Sequence, residues 1–198
     1  ADIHPMDLQQ KSRAENLAAV NLSVCREFGA WNVVGLTNLS DKTLDLHLSL
    51  EADFHIPTRN GETYAIYEFW QKKFLGVCND ALHLSIEPVS SAVLRITPLH
   101  GTPQLICSSR HITQGAIELA SLRWNEETQN LSGSSALVGG DEYLMAFYVP
   151  EAYKLSALEV NEALEQSHSF DEKSMILNLV LKSKSNVSAK WLLRFQKS

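Results

Sequence analysis

Cysteine is scarce in this 198-residue chain. Cys25, Cys78 and Cys107 are odd in number and include no Cys-x-x-Cys, which excludes a disulfide framework and a zinc knuckle. Small buried side chains are the expectation for all three. Basic charge is short as well: 17 Lys and Arg stand against 23 Asp and Glu, for a net charge of -6. No positive field exists to attract nucleic acid or anionic lipid, so neither is expected as a partner. Long apolar runs are missing, since none approaches the roughly 20 residues of a membrane-spanning helix. The start of the chain lacks the basic-then-apolar plan of a signal peptide. A soluble chain is expected. It opens on Ala rather than Met and runs through the polar stretch Gln9-Gln10-Lys11-Ser12-Arg13, which reads as a piece cut from a longer polypeptide.

What is present is a period of two. In Thr43-Leu44-Asp45-Leu46-His47-Leu48-Ser49-Leu50 every second residue is Leu, and an extended chain puts all four on one face. Leu82, Leu84 and Ile86 repeat the rhythm, and Ala92, Leu94 and Ile96 alternate with Arg95 and Thr97. Near the end, Met175, Leu177, Leu179 and Leu181 share one side, and Ala189, Trp191, Leu193 and Phe195 another. Trp31 to Leu39 and Tyr143 to Val149 are apolar on both faces, as central strands between layers are. Glu151 to Gln166 mixes helix-forming composition with strand alternation; a strand to about Val160 is expected.

Turn residues separate these runs. Asn60-Gly61 suits a tight hairpin, and Ser40-Asp41-Lys42 is short enough to force an antiparallel pair. Gly139-Gly140-Asp141 and Asn125-Glu126-Glu127-Thr128 read as further turns of this kind. Twelve or thirteen short strands exceed one sandwich, and Pro98-Leu99-His100-Gly101-Thr102-Pro103 breaks the chain with six or seven on either side. The fold expected is all-β, two antiparallel β-sandwiches in tandem, at residues 1–102 and 103–198.

Catalytic chemistry is hard to place. Seven histidines are present, none in a helical His-x-x-x-His; His47 and His83 fall on polar strand faces and read as solvated. Glu51, Asp53, Glu62, Glu68, Glu118 and Asp141 supply carboxylates, but sequence spacing cannot show the pairing of about 5 Å that a retaining glycosidase needs. Most read as solvated. Gly139-Gly140 lacks the phosphate-cradling pattern. No catalytic residue, cofactor or metal is expected. Arg110 and His111, in a dense polar cluster after the break, read as a hydrogen-bonded interdomain junction; a catalytic His111 would need a nucleophile the sequence does not identify. Asn21, Asn38, Asn130 and Asn186 each start an Asn-x-Ser sequon. The aromatic group Tyr64, Tyr67, Phe69, Trp70 and Phe74 leaves two readings. Tyr64, Tyr67 or Trp70 could stack on the apolar faces of sugars, or these rings could be core or interdomain contacts, as rings of their size most often are.

Ordered motifs run through this region. Phe28-Gly29-Ala30-Trp31-Asn32-Val33-Val34-Gly35-Leu36-Thr37-Asn38, Tyr67-Glu68-Phe69-Trp70 with Lys73-Phe74-Leu75-Gly76, and Val93-Leu94-Arg95-Ile96 with Pro98 resemble the C-terminal β-domain of α-galactosidase-like glycoside hydrolases of the melibiase type (clan D). Gly101-Thr102-Pro103-Gln104, Ser109-Arg110-His111-Ile112-Thr113-Gln114-Gly115 and Leu131-Ser132-Gly133 to Val138-Gly139-Gly140-Asp141 look like the additional β region of some members. The likeness covers most of residues 25 to 150. It implies a (β/α)8 barrel, carrying the two catalytic Asp, as the partner in the same polypeptide. Residues 1–25 are far too few for a barrel of about 250 residues. The resemblance therefore implies a non-catalytic module that braces a barrel, and the alternative is a stand-alone carbohydrate-binding module.

Overall fold

The computed structural model describes residues 3–6, 16–59, 61–161 and 164–197. Asn60 and the Gln9–Arg13 stretch lie outside them. The described residues form an all-β protein of sixteen strands and one short helix, more strands than the turn count predicted. The antiparallel sheets pair into two sandwich-like units. The chain divides after Leu99; the first unit takes the chain up to Cys25 with Gly29–Leu99, and the second takes Arg26–Phe28 with His100–Ser198. Eight strands fall on each side of the Pro98–Pro103 segment.

In the first unit, β1 (Ile3–Met6), β2 (Leu17–Arg26), β3 (Gly29–Asn38), β5 (Tyr64–Glu68), β6 (Lys73–Cys78) and β8 (Ser90–Pro98) make a six-stranded sheet in the order β1-β2-β3-β8-β5-β6. A two-stranded sheet, β4 (Leu44–Ser49) with β7 (Ala81–Ile86), faces it. The alternating residues meet between them as the sequence pattern requires: Val34, Leu36, Ile66, Leu94 and Ile96 from the large sheet pack with Leu46, Leu48, Leu82 and Ile86 from the small one.

Three local expectations fail here. Ser40-Asp41-Lys42 does not join paired strands, because β3 and β4 lie in different sheets. Asn38 turns that corner. Its buried amide nitrogen donates to the carbonyls of Lys42 (2.7 Å), Ile86 (3.0 Å) and Glu87 (3.0 Å), while its oxygen accepts from Ser40 N (2.9 Å) and Ser40 Oγ (2.7 Å). The Leu44–Leu50 run also stops short as a strand. Leu50 opens helix α1 (Leu50–Phe54), where Ser49 Oγ accepts from Ala52 N and the acidic Glu51 and Asp53 occupy the first turn. Leu50 stays buried even so. Gly61, at φ +86, belongs to the α1–β5 connection and not to a hairpin.

The second unit pairs β14 (Glu165–Asp171), β15 (Ile176–Lys182), β12 (Glu142–Tyr148) and β9 (Gln104–Ser108), in that order, against β10 (Leu119–Asn125), β11 (Asn130–Leu137), β16 (Val187–Lys197) and β13 (Tyr153–Val160). Leu177, Leu179 and Leu181 fill its core with Ala189, Trp191, Leu193 and Phe195. Met175 falls outside β15, at φ 59. Within the ambiguous Glu151–Gln166 segment Tyr153–Val160 is strand, and β13 ends at Val160 as expected. Asn125–Thr128 closes the β10–β11 hairpin, whereas Gly139-Gly140 carries the chain from one sheet to the other. A Cβ on Gly139 would lie 2.7 Å from Ser185 Cα, and Gly140 has φ +86, so both positions require glycine.

The cysteines are free, and only Cys107 is buried; Cys25 is exposed near the end of β2, and Cys78 is half-buried on β6, an edge strand with no fully buried residue.

Candidate functional site

The densest polar grouping lies in the second unit. Ser109 and Arg110, just past β9, meet Val138, Asp141, Glu142 and Tyr143 around a cleft of about 220 Å3. The backbone locks this arrangement: Ser109 N donates to Leu144 O, and Leu144 N donates to Ser109 Oγ, both at 2.9 Å. Gly139 N donates to Asn186 Oδ1 at 2.9 Å, which fixes the turn above it. The Arg110 guanidinium sits 3.8 Å from the Asp141 carboxylate, and both are solvated, so the pair contributes little to stability. His111 Nδ1 is 2.9 Å from Thr113 Oγ1, a local turn contact. Both residues marked as a junction thus have partners within the second unit.

Beneath the cleft is a chain of buried polar groups that the sequence did not reveal. Ser108 Oγ donates to Glu118 Oε1. Trp191 Nε1 donates to Ser135 Oγ at 3.1 Å. Tyr143 stands beside Ser135, Ser108 and Glu118, and burial holds its phenol well above the ordinary value of 10.0. All five residues are buried. A serine and a carboxylate in contact suggest acyl-transfer parts, but a nucleophile needs a base and access to substrate. These groups sit inside the sandwich, and Glu118 accepts the serine proton in a hydrogen bond that fastens β9 to the segment before β10. Their role is to fix the packing of the two sheets.

The aromatic constellation separates. Tyr64 and Tyr67 are buried, and Trp70 in the β5–β6 turn is exposed, with its ring edge-on to Phe69 at 4.9 Å. No single sugar-stacking stripe of the three forms, because β5 is central and buried on both faces. The Tyr64 hydroxyl has Pro57 O at 2.7 Å and Glu62 Oε2 at 2.8 Å.

Two carboxylates expected in solvent are buried. Glu118 is one; Glu68 is the other, accepting from Val93 N at 3.1 Å and from Gln71 N. Glu68 is thereby the cap of the β5–β6 turn. Arg95 is likewise buried, although it alternates with the core-facing Leu94 and Ile96. Two of the four sequon asparagines are buried. Asn21 and Asn38 are buried, with amide nitrogens donating to Phe54 O and to the corner carbonyls. Asn186 is exposed. Missed altogether was the cross-strand contact of His47 with His83, whose only signal was a histidine on the polar face of each of two alternating strands.

No family model and no curated protein matches this chain. Among the described residues, no group of three or more His, Cys, Asp or Glu comes together as a metal cage, and no helix is long and apolar enough to cross a membrane.

Proposed function

We propose that this chain is the non-catalytic C-terminal β-domain of an α-galactosidase-like glycoside hydrolase, and that it braces a (β/α)8 barrel in the same polypeptide. The reading rests on the ordered motif series, and one observation carries it further: the first unit ends in an apolar surface. Asn38 pairs with Ser90, so Leu39 and Val89 emerge side by side just past that pair. Phe69 N donates to Val93 O, which brings the β5–β6 turn with Trp70 to the same end of the sheet. Leu39 is 62%, Trp70 58% and Val89 79% exposed. Val89 also holds φ 49, a strained conformation for a β-branched side chain. Apolar side chains gathered on strained turns are a surface that a neighbouring domain stabilises by removing it from water.

Extending the chain by the coding sequence upstream of Ala1 tests this. The extended protein should hydrolyse a p-nitrophenyl α-galactoside, and the present chain alone should not. Leu39→Ser with Val89→Ser should lower the melting temperature of the extended protein and leave that of the isolated chain unchanged. An upstream frame without a barrel refutes the proposal.

The exposure of Trp70 favours a second reading, a stand-alone carbohydrate-binding module. Titration with galactosides and polysaccharides, followed by tryptophan fluorescence, should then saturate in the parent chain and not in Trp70→Ser. An unchanging signal removes this reading.

A further inference from the structure

His47 and His83 stand directly opposite one another on β4 and β7. Leu46, Leu48, Leu82 and Ile86 point into the core, so the intervening histidines point to solvent. Nδ1 of His47 lies 2.9 Å from Nε2 of His83, the ring centroids are 4.3 Å apart, and the planes are tilted by 49°. A collinear N–H···N bond would hold the centroids further apart, so the two nitrogens meet at an angle. Imidazole nitrogens bound at about 2.0–2.1 Å in neighbouring positions around one metal ion are themselves about 3 Å apart. The pair therefore already has the separation of a chelate, and a strand ladder fixes it in place of a loop.

The surroundings favour a cation. The charged side chains on the same face are Asp45, which accepts from Ser85 Oγ, and Glu87, which accepts from Thr43 Oγ1. Helix α1, packed on β4, adds Glu51 and Asp53. Among the described residues no third protein ligand completes the set, which leaves the remaining coordination positions to water.

We propose that His47 and His83 form a two-histidine chelate for a divalent transition-metal ion of the Cu2+, Ni2+ and Zn2+ group, clipping β4 to β7. Imidazole nitrogen suits these ions, with Cu2+ the tightest. Only unprotonated imidazole ligates, so protons and metal compete for the same nitrogens and affinity rises with pH.

Titration calorimetry of the whole chain with NiCl2 and ZnCl2 tests the proposal. At pH 7.5 one saturable site is expected, weakening by roughly tenfold or more at pH 5.5. His47→Gln and His83→Gln should each weaken binding by roughly tenfold or more. Both positions are exposed, and circular dichroism spectra matching that of the parent chain are expected of both variants. His168→Gln, which removes an exposed histidine on β14, should leave the affinity unchanged. Zn2+ should also raise the melting temperature of the parent chain and not of His47→Gln. Binding that survives both His47→Gln and His83→Gln, or no saturable binding at millimolar metal, overturns the site.

Discussion

The guanidinium carbon of Arg95 lies 4.2 Å from the centre of the Trp31 ring, and both side chains are buried on the face of the six-stranded sheet away from its core. Arg95 Nε also donates to Thr97 Oγ1 at 3.0 Å. On β8, Arg95 stands between Val33 of β3 and Tyr67 of β5. A desolvated cation over an indole is worth about 2 kcal/mol, and removing the cation leaves buried polar partners behind. Arg95→Ala should cost about 3 kcal/mol in urea denaturation. Arg95→Lys should recover only part of that, because an ammonium lacks the flat guanidinium surface.

The sheet-crossing corner gives a sharper test. Asn38→Asp changes one atom, yet it places carboxylate oxygen where three carbonyl oxygens converge on the amide nitrogen. Its expected cost is about 3–5 kcal/mol, that of a buried charge without a partner. Asn186→Asp, at an exposed position, should be nearly neutral by the same measurement.

Trp191 occupies space that only glycine leaves. A Cβ on Gly133 would lie 2.3 Å from a Trp191 ring carbon and 2.8 Å from the Ser121 carbonyl oxygen. Gly133→Ala should therefore destabilise the second unit by about 2–3 kcal/mol, seen as a lower melting temperature. The near-ultraviolet circular dichroism of Trp191 should weaken with it.

Alkaline pH should loosen the first unit in a defined window. Burial, aided by the Asp80 charge, pushes the Cys78 thiol from 9.0 to about 11. Burial and the Glu62 carboxylate push the Tyr64 phenol from 10.0 to about 12. Both groups ionise first in the unfolded chain, so their stabilisation is complete below pH 9 and is lost as pH rises through the folded values. The urea midpoint should fall across pH 9 to 12, and Cys78→Ser with Tyr64→Phe should flatten that slope.

The layers were legible because strand alternation is a local property: each of Leu46, Leu48, Leu82, Leu94, Leu177 and Trp191 has at least one polar neighbour beside it in sequence. What was not legible depends on pairing between distant residues. Ser40-Asp41-Lys42 looks like a hairpin until Asn38 is seen to bind the carbonyls of Ile86, the last residue of β7, and of Glu87 just past it. Arg95 and Glu68 look like surface residues until β8 and β5 prove to be interior strands of their sheet, with residues buried on both faces. The same cause hid the His47–His83 contact, which exists only because β4 skips two strands to pair with β7.

Strand β14 contrasts with all of this. Every residue from Glu165 to Asp171 is exposed, and the strand hangs on the rim of its sheet through β15 alone. Its amide protons are shielded by one ladder and no packed side chain, so they should be the earliest in the second unit to trade for deuterium. The acidic and hydroxyl side chains along that rim also deter another chain from adding itself there. The sandwich can thus shed an outer ribbon without melting its interior.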